Sequence, residues 1–211
     1  MANCCPLPSA LTTVPATVCP VDLGQIQRIL PVRRGYVGWD TATPANNYPA
    51  SIVGLDPTAV AGWTILKAAV DDTKVLFPPL FGGGITITPA DPNTFGGNDN
   101  ETLNGETYVV GFPPSTFVAR YDQLTAAQDL AFTDLECETL EVYFVNGDGN
   151  IIGERDGLIF KGFSITAFYF KGREVLGFGT RNNNMIGFQM AKNWSSKFEV
   201  ITPTDFNALT F

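Results

Sequence analysis

The chain predicts a mainly β fold (α+β), an antiparallel β-sandwich or barrel-like domain of about ten strands with one packed helix and an extended N-terminal arm. Three observations carry that expectation. The 211 residues include 16 Phe, 21 Gly and 15 Pro, a composition that suits many short strands joined by tight turns. Period-two alternation recurs between clusters of Gly, Pro and Asn. Only one stretch, at about 125–136, carries a good helix signal, and it runs straight into the clearest strand–turn–strand pattern in the sequence.

Taken in order, residues 1–22 predict an arm, and 23–211 a single β-rich domain. Pro6, Pro8, Pro15 and Pro20 block helix and central strand in the arm. The arm is nonetheless apolar, with Asp22 its only charged side chain, whereas free tails are polar and charged. Gln25–Ile29 alternates, and Leu30-Pro31 predicts an edge or a break. Residues 41–57 predict a loop. Gly62–Lys67 and Thr73–Phe77 predict strands around a turn at Asp71-Asp72, and Pro78-Pro79 ends the second. Gly82-Gly83-Gly84 predicts a hinge, followed by a strand over Ile85–Thr88. Pro89–Gly105 is too long for an ordinary hairpin loop and predicts a functional or interfacial segment. Thr107–Phe112 predicts a strand closed by Pro113-Pro114, and Phe117–Tyr121 leads into the helix.

Thr125 and Gln128 form a capping box. Leu124, Ala127, Ala131 and Leu135 predict the buried helix face, with Leu130 beside them, so that the helix covers a sheet. After Glu138 the period becomes two: Leu140, Val142 and Phe144 alternate with Glu141, Tyr143 and Val145. Asn146-Gly147-Asp148-Gly149 favours a tight hairpin turn, and Asn150-Ile151-Ile152 begins the return strand. Leu158–Phe170 predicts one long strand or two, bent at Gly162. Strands at Met185–Met190 and Phe198–Thr202 and an apolar tail complete the chain.

Composition bounds the function. Charged residues are 16% of the chain, below the ~25% of ordinary domains, which points to surface covered by copies of itself or by another protein. A net charge of −8 opposes specific nucleic-acid binding. The one basic cluster, Arg28, Arg33 and Arg34, reads as solvated strand ends. With no histidine, the commonest general base, metal ligand and nucleophile partner are missing. Cys4, Cys5, Cys19 and Cys137 lack a Cys-x-x-Cys pair and read as free thiols in a reducing cytoplasm. No secretory signal or membrane span is expected.

Candidate sites are weaker than their structural alternatives. Asn146, Asp148 and Asn150 alternate as in a calcium loop, but Ile151 and Gly157 stand where that motif needs Gly and Glu. The 96–106 loop, with Asn98, Asp99, Asn100, Glu101 and Glu106, is dense in oxygen ligands for calcium or a glycan but lacks a spacing. Gly96-Gly97 and Gly177-x-Gly179 do not open a helix after a strand. Glu136/Glu138 and Asp71/Asp72 are carboxylate pairs of the kind a glycosidase needs. Trp39, Trp63, Trp194, Tyr36, Tyr48 and Tyr108 could stack on sugars, although such aromatics are more often core. Asn193-Trp194-Ser195 and Asn100-Glu101-Thr102 match a glycosylation pattern without a secretory route.

The proline-rich arm, the β-rich body, the helix running into a hairpin (LTAAQDLAFTDLECETLEVYFVNGDGNIIG) and the late ITPTDF together resemble tailed-bacteriophage virion structural proteins, nearest the major tail or tail tube class. The likeness spans most of the chain from Gly24 to Asp205 and is architectural. It implies a virion protein, assembled in the bacterial host cytoplasm, that forms a homo-oligomeric ring or tube whose inner strands join into a β-barrel. Other virion proteins would be partners, and DNA would be passing cargo only. The resemblance brings no catalytic, cofactor-binding or metal residues, and no enzyme activity or membrane contact. Capsid decoration proteins and head–tail connectors have similar composition, and a carbohydrate-binding or adhesin module is the main rival. The arm is expected to contact a neighbouring subunit. Removing residues 1–22 should therefore abolish assembly under the electron microscope, and unchanged assembly would refute that role.

Overall fold

A computed structural model describes residues 24–97 and 105–211. The arm, 1–22, and the centre of the 96–106 loop lie outside the described residues. Among those described there are twelve strands and two α-helices. Ten strands form one antiparallel sheet that folds over itself as an open sandwich and does not close into a barrel.

The centre is β7 (Leu140–Asn146), all seven residues of which are buried. It pairs along its length with β1 (Ile26–Arg33). Its other edge is shared: Phe144 and Val145 pair with β8 (Ile151–Asp156), Val142 and Glu141 with β10 (Phe163–Glu174). β9 (Ile159–Lys161) and β10 are the single or double strand expected over 158–170. They part at Gly162, where an added Cβ would lie 3.0 Å from both the Glu141 Cβ and the Val142 nitrogen. β9 pairs with β8 and with β2 (Trp39–Asp40), and β12 (Phe198–Ile201) lines the far edge of β8. The second layer runs from β10 through β11 (Asn183–Met190) and β6 (Ser115–Asp122) to β3 (Gly83–Thr88). β4 (Asn93–Gly96) and β5 (Thr107–Gly111) make a separate ribbon.

Alternation on β7 feeds two cores. Leu140, Val142 and Phe144 enter the space between the layers, with Ile29, Phe117, Phe163 and Phe188. Phe117 and Phe188 sit opposite each other on β6 and β11 and stack at 4.3 Å, and Phe144 reaches Phe117 at 5.6 Å from the facing layer. Tyr143 and Val145 enter a second core on the outer face, with Leu30, Val32, Trp39 and Trp63. There α1 (Val60–Ala68) and the chain end, with Ala208 buried and Phe206, Leu209 and Phe211 packed against it, form the cover.

α1 corrects the strand expected at Gly62–Lys67. Its N-cap, Ala59, offers no side-chain oxygen. Instead Asp205, 145 residues away, accepts the Val60 amide at 2.8 Å, supplying both a cap and a negative charge at the helix N-terminus. Trp63 and Leu66, three apart, are its buried face. Gly62 is required by contact, since a Cβ there would lie 2.4 Å from the Trp39 ring.

The strand expected at Thr73–Phe77 is also absent. This segment is a strap that covers the outer edge of β1, the Leu76 and Phe81 amides donating to the Pro31 and Gln27 carbonyls at 2.9 Å each. Arg28 fastens it. The buried guanidinium donates from Nε to the Pro78 carbonyl and from a terminal nitrogen to the Ala208 carbonyl at 3.0 Å, tying β1 to both strap and chain end. Arg28 is therefore not a solvated strand end, whereas Arg33 and Arg34, at the end of β1, are partly exposed and engaged in polar contacts. Arg33 bridges Asp72 and Glu138, and Arg34 donates to the Ile165 carbonyl.

The expected helix is present as α2 (Ala126–Asp134), with Leu135–Cys137 continuing as a 3-10 turn and the capping box formed as expected. Its inward face differs. Leu124 and Phe132 are buried, Gln128 and Leu135 half-buried, whereas Ala127, Ala131 and Leu130 face water. Phe132 wedges between Tyr121 at 4.9 Å and Phe170 at 5.3 Å, so α2 plugs the sandwich at the ends of β6 and β10 and does not cover a sheet face.

Phe144→Ala should cost about 3–5 kcal/mol in denaturant unfolding, because it empties the junction of the two layers. Leu130→Ala should stay within about 0.5 kcal/mol.

Candidate assembly interface

Among the described residues, exposed apolar side chains cluster on the β4–β5 ribbon. Phe95 and Tyr108 face each other in register, as do Thr94 and Val109. Phe95, Tyr108, Val109 and Val110 are 39%, 50%, 52% and 60% exposed, and Phe112 just beyond is 56% exposed. Neighbouring residues of a regular strand point to opposite faces, so Phe95 and Tyr108 place apolar surface on one face of the ribbon and Val109 on the other, while the register shift between Asn93 and Thr94 leaves Val110 out of the pairing. Neither face is covered among the described residues. A lone two-stranded ribbon is marginal in water, and one that is apolar on both sides needs another surface. At its base the Lys192 ammonium stands 3.7 Å over the Phe112 ring. The Tyr108 hydroxyl donates to Glu106, which raises its proton affinity.

Two further features are open. β3 ends the sheet, its outer edge unpaired among the described residues. The turn joining β10 to β11 carries Val175, 75% exposed, and a fully exposed Phe178.

The chemical candidates disperse. Asn146 is buried, and its Oδ1 accepts the Asp148 and Asn150 amides at 3.1 and 2.9 Å, so this loop is a turn organised by its own first residue. Asp71 caps Thr73, Asp72 and Glu138 both hold Arg33, and Glu136 accepts the Phe170 amide at 2.6 Å. Neither carboxylate pair therefore converges on one site. Trp39 and Trp63 are fully buried, 5.1 Å apart, and Trp194 packs edge-on to Phe163, so the tryptophans form no sugar platform. Asn98, Asp99, Asn100 and Glu101, with Asn100-Glu101-Thr102, lie outside the described residues, as do Cys4, Cys5 and Cys19; Cys137 is a free, exposed thiol. Gly177 and Gly179 lie in the β10–β11 turn, and Gly96-Gly97 at the end of β4. Among the described residues no three His, Cys, Asp or Glu side chains converge as metal ligands, and no helix is long and apolar enough to cross a membrane.

One ionisable group sits deep in the body. Glu141 is 2% exposed at the β7–β10 junction, and its Oε1 accepts the Ser164 hydroxyl at 3.3 Å. Burial raises its proton affinity above the ordinary carboxylate range, opposed by the Lys161 and Arg34 cations and by the Gly35 amide.

No protein-family model matches the chain, and no curated protein matches it. Among solved structures, the tail of an empty GTA particle in C6 symmetry is similar at 16% identity and a TM-score of 0.32, over 55% of this chain and 81% of that one. Overlap at that level carries no functional argument by itself.

Because folding raises the Glu141 affinity for its proton, the native chain loses stability as pH rises from the unfolded carboxylate value through the folded one. Glu141→Gln should therefore raise Tm at pH 8, with the gain shrinking towards pH 4; a gain independent of pH would refute an ionisation effect.

Proposed function

We propose that this chain is a structural subunit that self-assembles into a phage tail tube or a related ring through subunit–subunit β contacts, and that it has no turnover. The observation that carries the reading is the β4–β5 ribbon, with Tyr108 and Val109 presenting apolar surface on opposite faces and no cover among the described residues. A contact between the ribbon and a different surface of a second copy is heterologous. Contacts of that kind build rings where the rotation closes and helical stacks where it does not. The tail assignment itself rests on the architectural resemblance of the sequence and not on the loose superposition with a tail particle. A tube wall built from a chain of net charge −8 would repel a DNA backbone and let it pass.

Among the described residues, the dispersed carboxylates and the burial of Trp39 and Trp63 favour neither glycoside hydrolysis nor sugar stacking. Hydrolysis of a glycan panel that is lost on changing one carboxylate would overturn the absence of turnover.

Purified protein should form rings or tubes under negative stain. The double variant Val109→Asp/Val110→Asp should remain monomeric by analytical ultracentrifugation, with its unfolding free energy within about 0.5 kcal/mol of wild type, since both side chains are exposed. A monodisperse wild-type monomer at every concentration, or a variant that assembles normally, would refute the proposal.

A further inference from the structure

The β4–β5 ribbon and the β10–β11 turn leave the same layer at opposite ends. The ribbon grows from the end where Thr88 of β3 pairs with Thr116 of β6, and Lys192 stands over Phe112 just past the Met190–Ser115 pair of β11 and β6. The turn, 175–182, grows from the end where Asn183 of β11 pairs with Asp122 of β6 and with Glu174 of β10. The eight residues of β6 separate the two ends by about 26 Å. A contact between opposite ends of one body repeats from copy to copy in a single direction.

The two projections are complementary. Val175 and Phe178 are exposed on the turn, and Phe95 and Tyr108 form an exposed face of the ribbon. Apolar side chains on both partners lose water on contact, and aromatic rings pair edge to face or offset. The charges are opposite. Residues 89–114 contain no Lys or Arg, and Asp91 and Glu106 there are exposed. In residues 171–181, Lys171, Arg173 and Arg181 stand against one acid, Glu174. Beside the turn runs a groove of about 480 Å³ lined by Gln123, Leu124, Arg173, Thr180 and Arg181, with Arg173 held by the Leu124 carbonyl at 2.6 Å. On the ribbon, Glu106 accepts the Tyr108 hydroxyl, which places its charge beside the aromatic face, and a carboxylate has lone pairs for further donors.

We infer that the β10–β11 turn of one copy seats on the Phe95–Tyr108 face of the next copy's ribbon. Phe178 packs on that aromatic face with Val175 alongside, and Arg181 meets the Glu106 carboxylate. The inference rests on the assembly reading above and names the surface that the ribbon meets. It gives the subunit two different ends, so copies add head to tail.

Two end-blocked variants test it by analytical ultracentrifugation. Val175→Asp/Phe178→Asp blocks the turn, and Phe95→Asp/Tyr108→Asp blocks the ribbon. Each should be monomeric at concentrations where the wild type assembles. Mixed in equal amounts, they should form a heterodimer and nothing larger, because each keeps the end that the other has lost. Should a blocked variant fail to fold, charge reversal reads the same contact. Arg181→Glu should raise the concentration needed for assembly at least about fivefold, and adding Glu106→Arg to that chain should restore it. A turn variant that assembles like wild type overturns the inference and leaves the assembly proposal standing. So does a mixture of folded variants that stays monomeric, or a double reversal as weak as Arg181→Glu alone. A wild type that is monomeric at every concentration defeats the assembly proposal and this inference with it.

Discussion

The fold depends on one strand being buried on both faces. β7 presents Leu140, Val142 and Phe144 to one core and Tyr143 and Val145 to the other, so a one-residue slip would exchange the two sets. The turn that follows holds the register. Asn146 gathers the Asp148 and Asn150 amides, and Gly149 takes φ 82° with the Asn207 side chain packed where a Cβ would stand. The packing surfaces on either side are then set by β7. The β10–β11–β6–β3 layer closes over its Phe144 face, and α1 with the chain end closes over its Tyr143 face.

The outer core is held by groups distant in sequence. Asp205 caps α1, the Thr204 amide donates to the Thr58 carbonyl at 2.8 Å, and Arg28 gathers carbonyls from the strap and from Ala208. Phe77 and Phe211 pack 5.0 Å apart, with the Lys67 ammonium 4.5 Å over the Phe211 ring. Helix, strap and chain end thus depend on one another. Removing the strap or the chain end leaves the buried Arg28 guanidinium short of acceptors, which costs more than the lost contact alone.

Outside this frame the surface divides into protected and unprotected edges. β1 is sealed by the strap, and β12 is short and carries the paired Arg155–Glu199 bridge to β8. β3 and the β4–β5 ribbon have no comparable protection among the described residues. The buried glutamate and the capped hairpin turn, the two places that look most like chemistry, belong instead to the frame.

Much of this was legible in local pattern. The capping box at Thr125–Gln128, the two-sided alternation of Leu140–Val145, the turn at Asn146–Gly149 and the break at Gly162 each follow from nearest neighbours along the chain, and each is present. The Thr107–Phe112 strand was equally clear, but its exposure was not. An apolar strand reads alike whether a second layer covers it or none does, and only the three-dimensional arrangement shows that no described layer lies over Val109 and Val110. α1 was misread because Gly62-Trp63-Thr64-Ile65 alternates like a strand and lacks a local cap; its cap comes from Asp205 and its inner face from Trp39. The inward face of α2 was misplaced because Phe132 outweighs the alanines once Tyr121 and Phe170 stand beside it. The sequence by itself determined the β class, the central hairpin and the capped helix, since these depend on period, cap and turn chemistry within a few residues. Tertiary structure alone decided the second helix, the burial of Arg28 and which strands remain open, because each depends on groups separated by dozens of residues or more.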